Sequence, residues 1–180
     1  EAAAAAYRSL PYQWPVVGWM SDLQQLTLND VTNYYKTYYS PGNAFIVAAG
    51  DFKAEEFFPL VKKHFGPIAG GSKPPMVRSK VEPQSGERRI TVKRPARLPA
   101  FVLLYHVPNL SHRDSFALEA LSVILSAGKS SRLYRALVSE NPLVLDADAH
   151  YQALSHDPGL FSVFAQLLPG KRVDQVMAAV

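Results

Sequence analysis

Residues 99–141 read PAFVLLYHVPNLSHRDSFALEALSVILSAGKSSRLYRALVSEN, and this stretch decides the fold. "AFVLLYHVP" is a short apolar run closed by proline, which predicts a strand. Ser111 and Asp114 have capping-box spacing and predict a helix opening at about Asp114. Ala117, Leu118, Leu121, Ile124 and Leu125 recur at helical spacing and give that helix an apolar face. Gly128 interrupts it, and "SSRLYRALVSE" starts a second helix. Beyond it, "LVLDADAHYQA" and "GLFSVFAQLLP" read as strands, the latter alternating, and "KRVDQVMAAV" opens another helix. Strands interleaved with helices in this way predict an α+β fold, with mixed or antiparallel sheets and helices packed on one face.

Upstream, "EAAAAAYRSL" reads as the end of a helix, stopped by the prolines of "LPYQWP". Thr27 and Asp30 form a capping box, and Val31, Tyr34, Tyr35 and Tyr38 follow at helical spacing as packing residues. After the "SPGN" turn, "AFIVAAG" predicts a strand buried on both faces. Asp51 is placed to cap the next helix, which closes at Gly66. The proline-bearing run over 69–86 is the one convincing linker. "RRITVKR", after it, alternates like an edge strand.

The composition sets limits. With 180 residues, 48% hydrophobic and 19% charged, the chain can bury a core in one large domain or two small ones. Without cysteine it has no disulfide, thiolate metal site or cysteine nucleophile. Its apolar runs are too short to span a bilayer. Of the net charge of +4, residues 73–97 carry a surplus of +6, from eight basic residues against Glu82 and Glu87. No aromatic residue interleaves them, so the stretch lacks a stacking platform for nucleic acid and reads as a solvated linker and edge. The chain opens without a basic, apolar leader, and both ends read as cut through elements.

No catalytic constellation is complete. The histidines, His64, His106, His112, His150 and His156, include no pair spaced to share one helical face, and all five read as structural. "GKSS" at 128–131 has Val123 where a phosphate loop needs its first glycine. No Gly-x-Ser-x-Gly elbow presents a serine.

Three stretches nevertheless carry a resemblance. The segment from "AYRSLPYQWPVVGWM" through "YYSPGNAFIVAAGDF" resembles the closing part of the first module of pitrilysin/insulinase-type zinc peptidases, the inverzincins. "FPLVKKHFGPI" is similar to the helix that follows there. Residues 99–141, with Gly-x-Ser-Ser-Arg-Leu-Tyr at 128–134, resemble the start of that family's second, homologous module. The resemblance implies a repeated-module metallopeptidase truncated at both ends: residues 1–68 from the first module, 69–86 a linker, 87–180 from the second. It makes "PYQWPVVGWM" a rigid buried connector, structural and not catalytic.

It also implies what this chain lacks. The family's His-x-x-Glu-His helix and its later glutamate ligand leave zinc one open position for an attacking water. By register these fall upstream of residue 1, so no catalytic or metal residue is assigned here, and Glu1 is not taken as a ligand. Many second modules carry an arginine and, seven residues on, a tyrosine that bind the substrate backbone. Val138 and Leu145 stand at those positions. Lacking that pair, the chain resembles the zinc-bearing subunit of a bacterial two-chain, processing-peptidase-like enzyme. The expectations are zinc and a peptide substrate for the parent, and a homologous second subunit or self-association as partner. Nucleic acid and a membrane span are not expected, and the compartment is the bacterial periplasm in preference to the cytoplasm. The fragment alone is expected to be inactive and zinc-free. The alternative is a non-catalytic homologue serving as partner or scaffold subunit.

Overall fold

The computed structural model describes residues 1–71, 73–80 and 83–180. Ser72, Val81 and Glu82, which fall in the expected linker, lie outside the described residues. Among the described residues the helices are α1 (Ala2–Ala6), α2 (Met20–Gln25), α3 (Leu28–Tyr38), α4 (Ala54–Phe65), α5 (Ser115–Ser126), α6 (Arg132–Tyr134) and α7 (Val173–Met177). The strands are β1 (Ala100–Val107), β2 (Val144–Tyr151) and β3 (Gly159–Leu167). The chain divides into two compact units, residues 1–13 with 81–180 and residues 14–80.

The first unit is built on an antiparallel sheet of order β1-β3-β2. β3 is central because its alternate residues Phe161, Val163, Ala165 and Leu167 are buried, so it has apolar contacts to offer both neighbours. On that face Leu133, Leu137, Val144, Ala149, Tyr151 and Val176 complete the core, with Leu118 and Leu125 of α5 packed against it. α5 ends where Gly128 takes φ +75°, a conformation glycine adopts without strain. A π turn over Arg135–Ser139 continues α6. The opposite face, by alternation, carries Leu104 and Leu160, which close a second small cluster with Tyr7 and Leu10. The mixed or antiparallel expectation resolves to a purely antiparallel sheet among the described residues.

Four local expectations are corrected. Ser111 does not cap α5, because its hydroxyl and amide both donate to Asn109 Oδ1 (2.6 and 3.2 Å). Asp114 stands at the N-cap in αR conformation with no side-chain cap bond. "RRITVKR" forms no strand and runs as exposed coil. α1 stops at Ala6, short of Leu10, with Tyr7 extended at its C-cap. On α5, Leu121 and Ile124 lie away from the core, so the apolar face narrows to Leu118 and Leu125.

In the second unit the Thr27–Asp30 capping box is present in full, with Thr27 N donating to Asp30 Oδ2 (2.9 Å) and Asp30 N donating to Thr27 Oγ1 (3.3 Å). The Thr27 hydroxyl also donates to Asp30 Oδ2 (2.5 Å), and this bond first, with that of the Thr27 amide next, holds the Asp30 carboxyl below its usual range. α4 opens at Lys53 and not at Asp51, and has no side-chain cap. It ends at Gly66 with φ −59°, so the glycine closes the helix without a left-handed turn. "AFIVAAG" forms no strand, and Phe45, Ile46 and Val47 are exposed. A strand needs a ladder partner for its amides, and none lies beside this run among the described residues. Val31, Tyr34 and Tyr35 are likewise exposed, and so are Trp14, Val16, Val17 and Met20 of the connector expected to be buried; the Tyr34–Tyr38 rings meet tilted and the Tyr35–Tyr39 rings stacked (4.5 and 5.3 Å).

Candidate functional site

Val138 and Leu145 both fall at backbone irregularities. Val138 sits in the π turn, where Glu140 N donates to Arg135 O (2.8 Å), and its side chain packs against the core beside buried Leu137. Leu145 is the extra residue of a β-bulge between Val144 and Asp146, without a partner on β3, and is 56% exposed. π turns and bulges often aim side chains at functional sites. These two side chains are aliphatic and have no group that could hydrogen-bond a substrate backbone. Nearby, Arg135 pairs with Glu140 (2.8 Å), and the exposed Asp146 and Asp148 stand on the face of β2 away from the core.

The histidines do not converge. His64 is exposed in the last turn of α4. His112 Nδ1 accepts the Asp114 amide (3.2 Å) in the turn before α5. His150 faces outward from β2, and His156 lies in the 152–158 turn with Nδ1 3.4 Å from the Asp157 carboxylate. His106 meets the Tyr7 ring edge-on (5.7 Å). Among the described residues no group of three histidine, aspartate or glutamate side chains is placed to hold a metal ion. The described residues therefore offer no three-ligand set of the kind a catalytic zinc requires.

The best-built polar cluster in the first unit was not legible in the sequence. Tyr12 OH accepts the amides of His156 (3.1 Å) and Asp157 (3.3 Å), and Tyr7 OH donates to Pro158 O (3.4 Å). Burial pushes the Tyr7 phenol up to about 12, with the negative charges of Tyr12 and Asp157 adding to it. Asn109 Nδ2 grips the same turn through Ser155 O (3.1 Å) and His156 O (2.9 Å). An open depression of about 480 Å³ lies beside it, lined by Asn109, Leu110, Ser111, Leu154, Ser155 and His156 among others. Tyr151 OH donates to Pro108 O (2.6 Å) under it, its pKa raised chiefly by burial and then by Glu119. In the basic stretch, Arg88 reaches Ala5 O (3.3 Å), Arg89 pairs with Glu87 (3.2 Å), and Arg94 pairs with Glu1.

Comparison with known proteins decides what this architecture is. A family model described as the Peptidase M16 inactive domain matches residues 25–180. The chain belongs to the M16 peptidase family. Within that family it is 36% identical over 155 residues to the zinc protease PqqE of Helicobacter pylori, covering 84% of this chain and 35% of that protein. It is 30% identical over 175 residues to the zinc protease ML0855 of Mycobacterium leprae, covering 95% of this chain and 39% of that protein. The crystal structure of a protease from Helicobacter pylori superposes with a TM-score of 0.88 at 34% identity, covering 96% of this chain and 42% of that one. A peptidase M16 inactive domain from Pseudomonas fluorescens shares the fold at 16% identity, with a TM-score of 0.77. The M16 chain thus spans about two fifths of the curated relatives it matches. The inverzincin resemblance and the α+β fold are both borne out. No helix among the described residues is long and apolar enough to cross a membrane.

Proposed function

We propose that this chain is the central stretch of a bacterial zinc-dependent metalloendopeptidase subunit that hydrolyses peptides or unfolded proteins. The observation that carries the reading is 30–36% identity, over 84–95% of the chain, to proteins named zinc proteases. In this reading residues 1–68 close one module, 69–86 link, and 87–180 open the next. The zinc and its His-x-x-Glu-His helix belong to the part of the parent preceding residue 1. This stretch on its own is zinc-free and inactive.

The apolar Val138 and Leu145 support a division of labour, in which a homologous second subunit supplies the groups that hold the substrate backbone. A similarity at 27% identity to a protein named as a probable subunit of the mitochondrial-processing peptidase, from Arabidopsis thaliana, is consistent with a partnered enzyme. We assign the parent to the periplasm in preference to the cytoplasm on the family resemblance. The second reading, a non-catalytic partner or scaffold subunit, draws on the match to the family's inactive domain.

Metal analysis of the full-length polypeptide, alone and with its partner, separates the two. About one zinc per chain, as a three-ligand site requires, with cleavage of an unfolded peptide, is the expected result. A zinc-free full-length chain that cleaves nothing with its partner present overturns the peptidase reading in favour of the scaffold.

A further inference from the structure

Residues 1–13 are tied to the first unit by groups 144 to 151 residues further along the chain. Locally, Ala5 N donates to Glu1 O (2.9 Å), Tyr7 N to Ala3 O (2.8 Å) and Gln13 N to Leu10 O (3.1 Å). α1 has five residues, no side-chain cap and no buried residue, and a helix that short is marginal by itself. The anchoring is concentrated in Tyr7, Leu10 and Tyr12. Tyr7 and Leu10 are covered almost completely and share a cluster with Leu160, against which Leu104 packs. The Tyr7 and Tyr12 rings meet edge-on (5.3 Å), and their hydroxyls grip three successive residues of one turn, His156 to Pro158. That turn is itself stiffened from its other side by Asn109. At the far end of the strap, Arg88 and Arg94 bind Ala5 O and the Glu1 carboxylate.

We propose that Tyr7, Leu10 and Tyr12 form a latch that holds the 1–13 strap on the 156–158 turn as one two-state element. The three latch side chains lie within six residues, and Tyr7 and Leu10 are the strap's buried residues, with Tyr12 half-buried. Opening therefore frees the strap from the 156–158 turn, leaving only the exposed Arg88 and Arg94 contacts to Ala5 and Glu1, while the β1-β3-β2 sheet stays intact. Local elements of this kind open at free energies below that of global unfolding.

Amide exchange on the whole chain tests this with three variants. Tyr12→Phe deletes the acceptor for two amides and keeps the ring. Leu10→Ala loosens the strap without touching those bonds. Tyr7→Phe removes only the long bond to Pro158. The expected result for Tyr12→Phe and Leu10→Ala is exchange about tenfold faster at the strap amides of Ala5 and Tyr7 and, together with them, at His156 and Asp157. Amides of β3 keep their rates, and tryptic cutting after Arg8 accelerates in step. Tyr7→Phe gives the same pattern, smaller. If Leu10→Ala leaves His156 and Asp157 unchanged, or Tyr12→Phe alters only those two, the contacts are independent and the latch is overturned. Loss of β3 protection together with the strap overturns it equally, because the strap is then part of the global fold.

Discussion

Gly159 opens β3 directly over the turn that the strap grips, and replacing it by alanine tests the close approach of two backbones. A Cβ there would stand 2.2 Å from Gln152 O and 3.2 Å from Ser155 Oγ. The carbonyl belongs to backbone and cannot rotate away, so the 152–158 turn must retreat by about 1 Å, an overpacking strain of about 1–3 kcal/mol. That retreat stretches the bond from Gln152 N to Leu160 O (2.9 Å), whose loss adds about 1 kcal/mol. The expected cost is thus about 2–4 kcal/mol, confined to the first unit. Amide exchange of Val163 and Ala165 in β3, followed against urea, reads it directly. Gly70→Ala is the control: no heavy atom lies within 4 Å of the added carbon, and the expected change is within about 0.5 kcal/mol. A Gly159→Ala variant as stable as that control would refute the reasoning, since the two backbones would then not be in contact.

Leu137 is fully buried in the π turn, and Leu137→Ala should cost about 2–5 kcal/mol in chemical denaturation of the first unit. Thr27→Ala should destabilise α3 by about 1 kcal/mol, seen as faster exchange at its first amides. Because the folded Asp30 carboxyl titrates below its ordinary value of 3.8, the capping box stabilises α3 above that pH and loses its effect as pH falls through the lowered pKa; the Thr27 amide shift follows the loss. Tyr7 has the opposite sign. Its phenol is raised from 10.0 to about 12, so its contribution is complete below pH 10 and is lost as pH rises toward 12, which a phenol absorbance titration would detect.

The parts of the fold that were legible are those whose signal is local. β1, β2 and β3 declared themselves by short apolar or alternating runs, α5 by its 3.6-residue spacing, and its end by Gly128. The Thr27–Asp30 box was legible because both partners lie within one turn. Ser111 and Asp114 have the same spacing, yet Asn109 two residues earlier competes for the Ser111 hydroxyl, and pattern alone does not rank the two bonds. "AFIVAAG" and "RRITVKR" have strand composition but lie in coil, because strand formation is decided by a neighbour and not by the run itself. The Tyr7–Tyr12 cluster was illegible for a related reason: its partners are more than 140 residues away, and two tyrosines flanking a proline carry no periodicity. Val138 and Leu145 could be located by register, but the π turn and bulge that hold them could not.

The ordering of contacts along the chain has a kinetic consequence. β2 and β3 are joined by a turn of seven residues and pack directly on α5 and α6, so this block closes short loops and meets little entropic resistance. β1 adds across a longer gap, through the pairs Leu103–Val163 and Phe101–Ala165. The strap bonds, through its Tyr7 and Tyr12 hydroxyls, to a turn that this block must first create, across 144 to 151 residues of chain. It is the last piece to settle during folding and the first to leave when the native state begins to unravel.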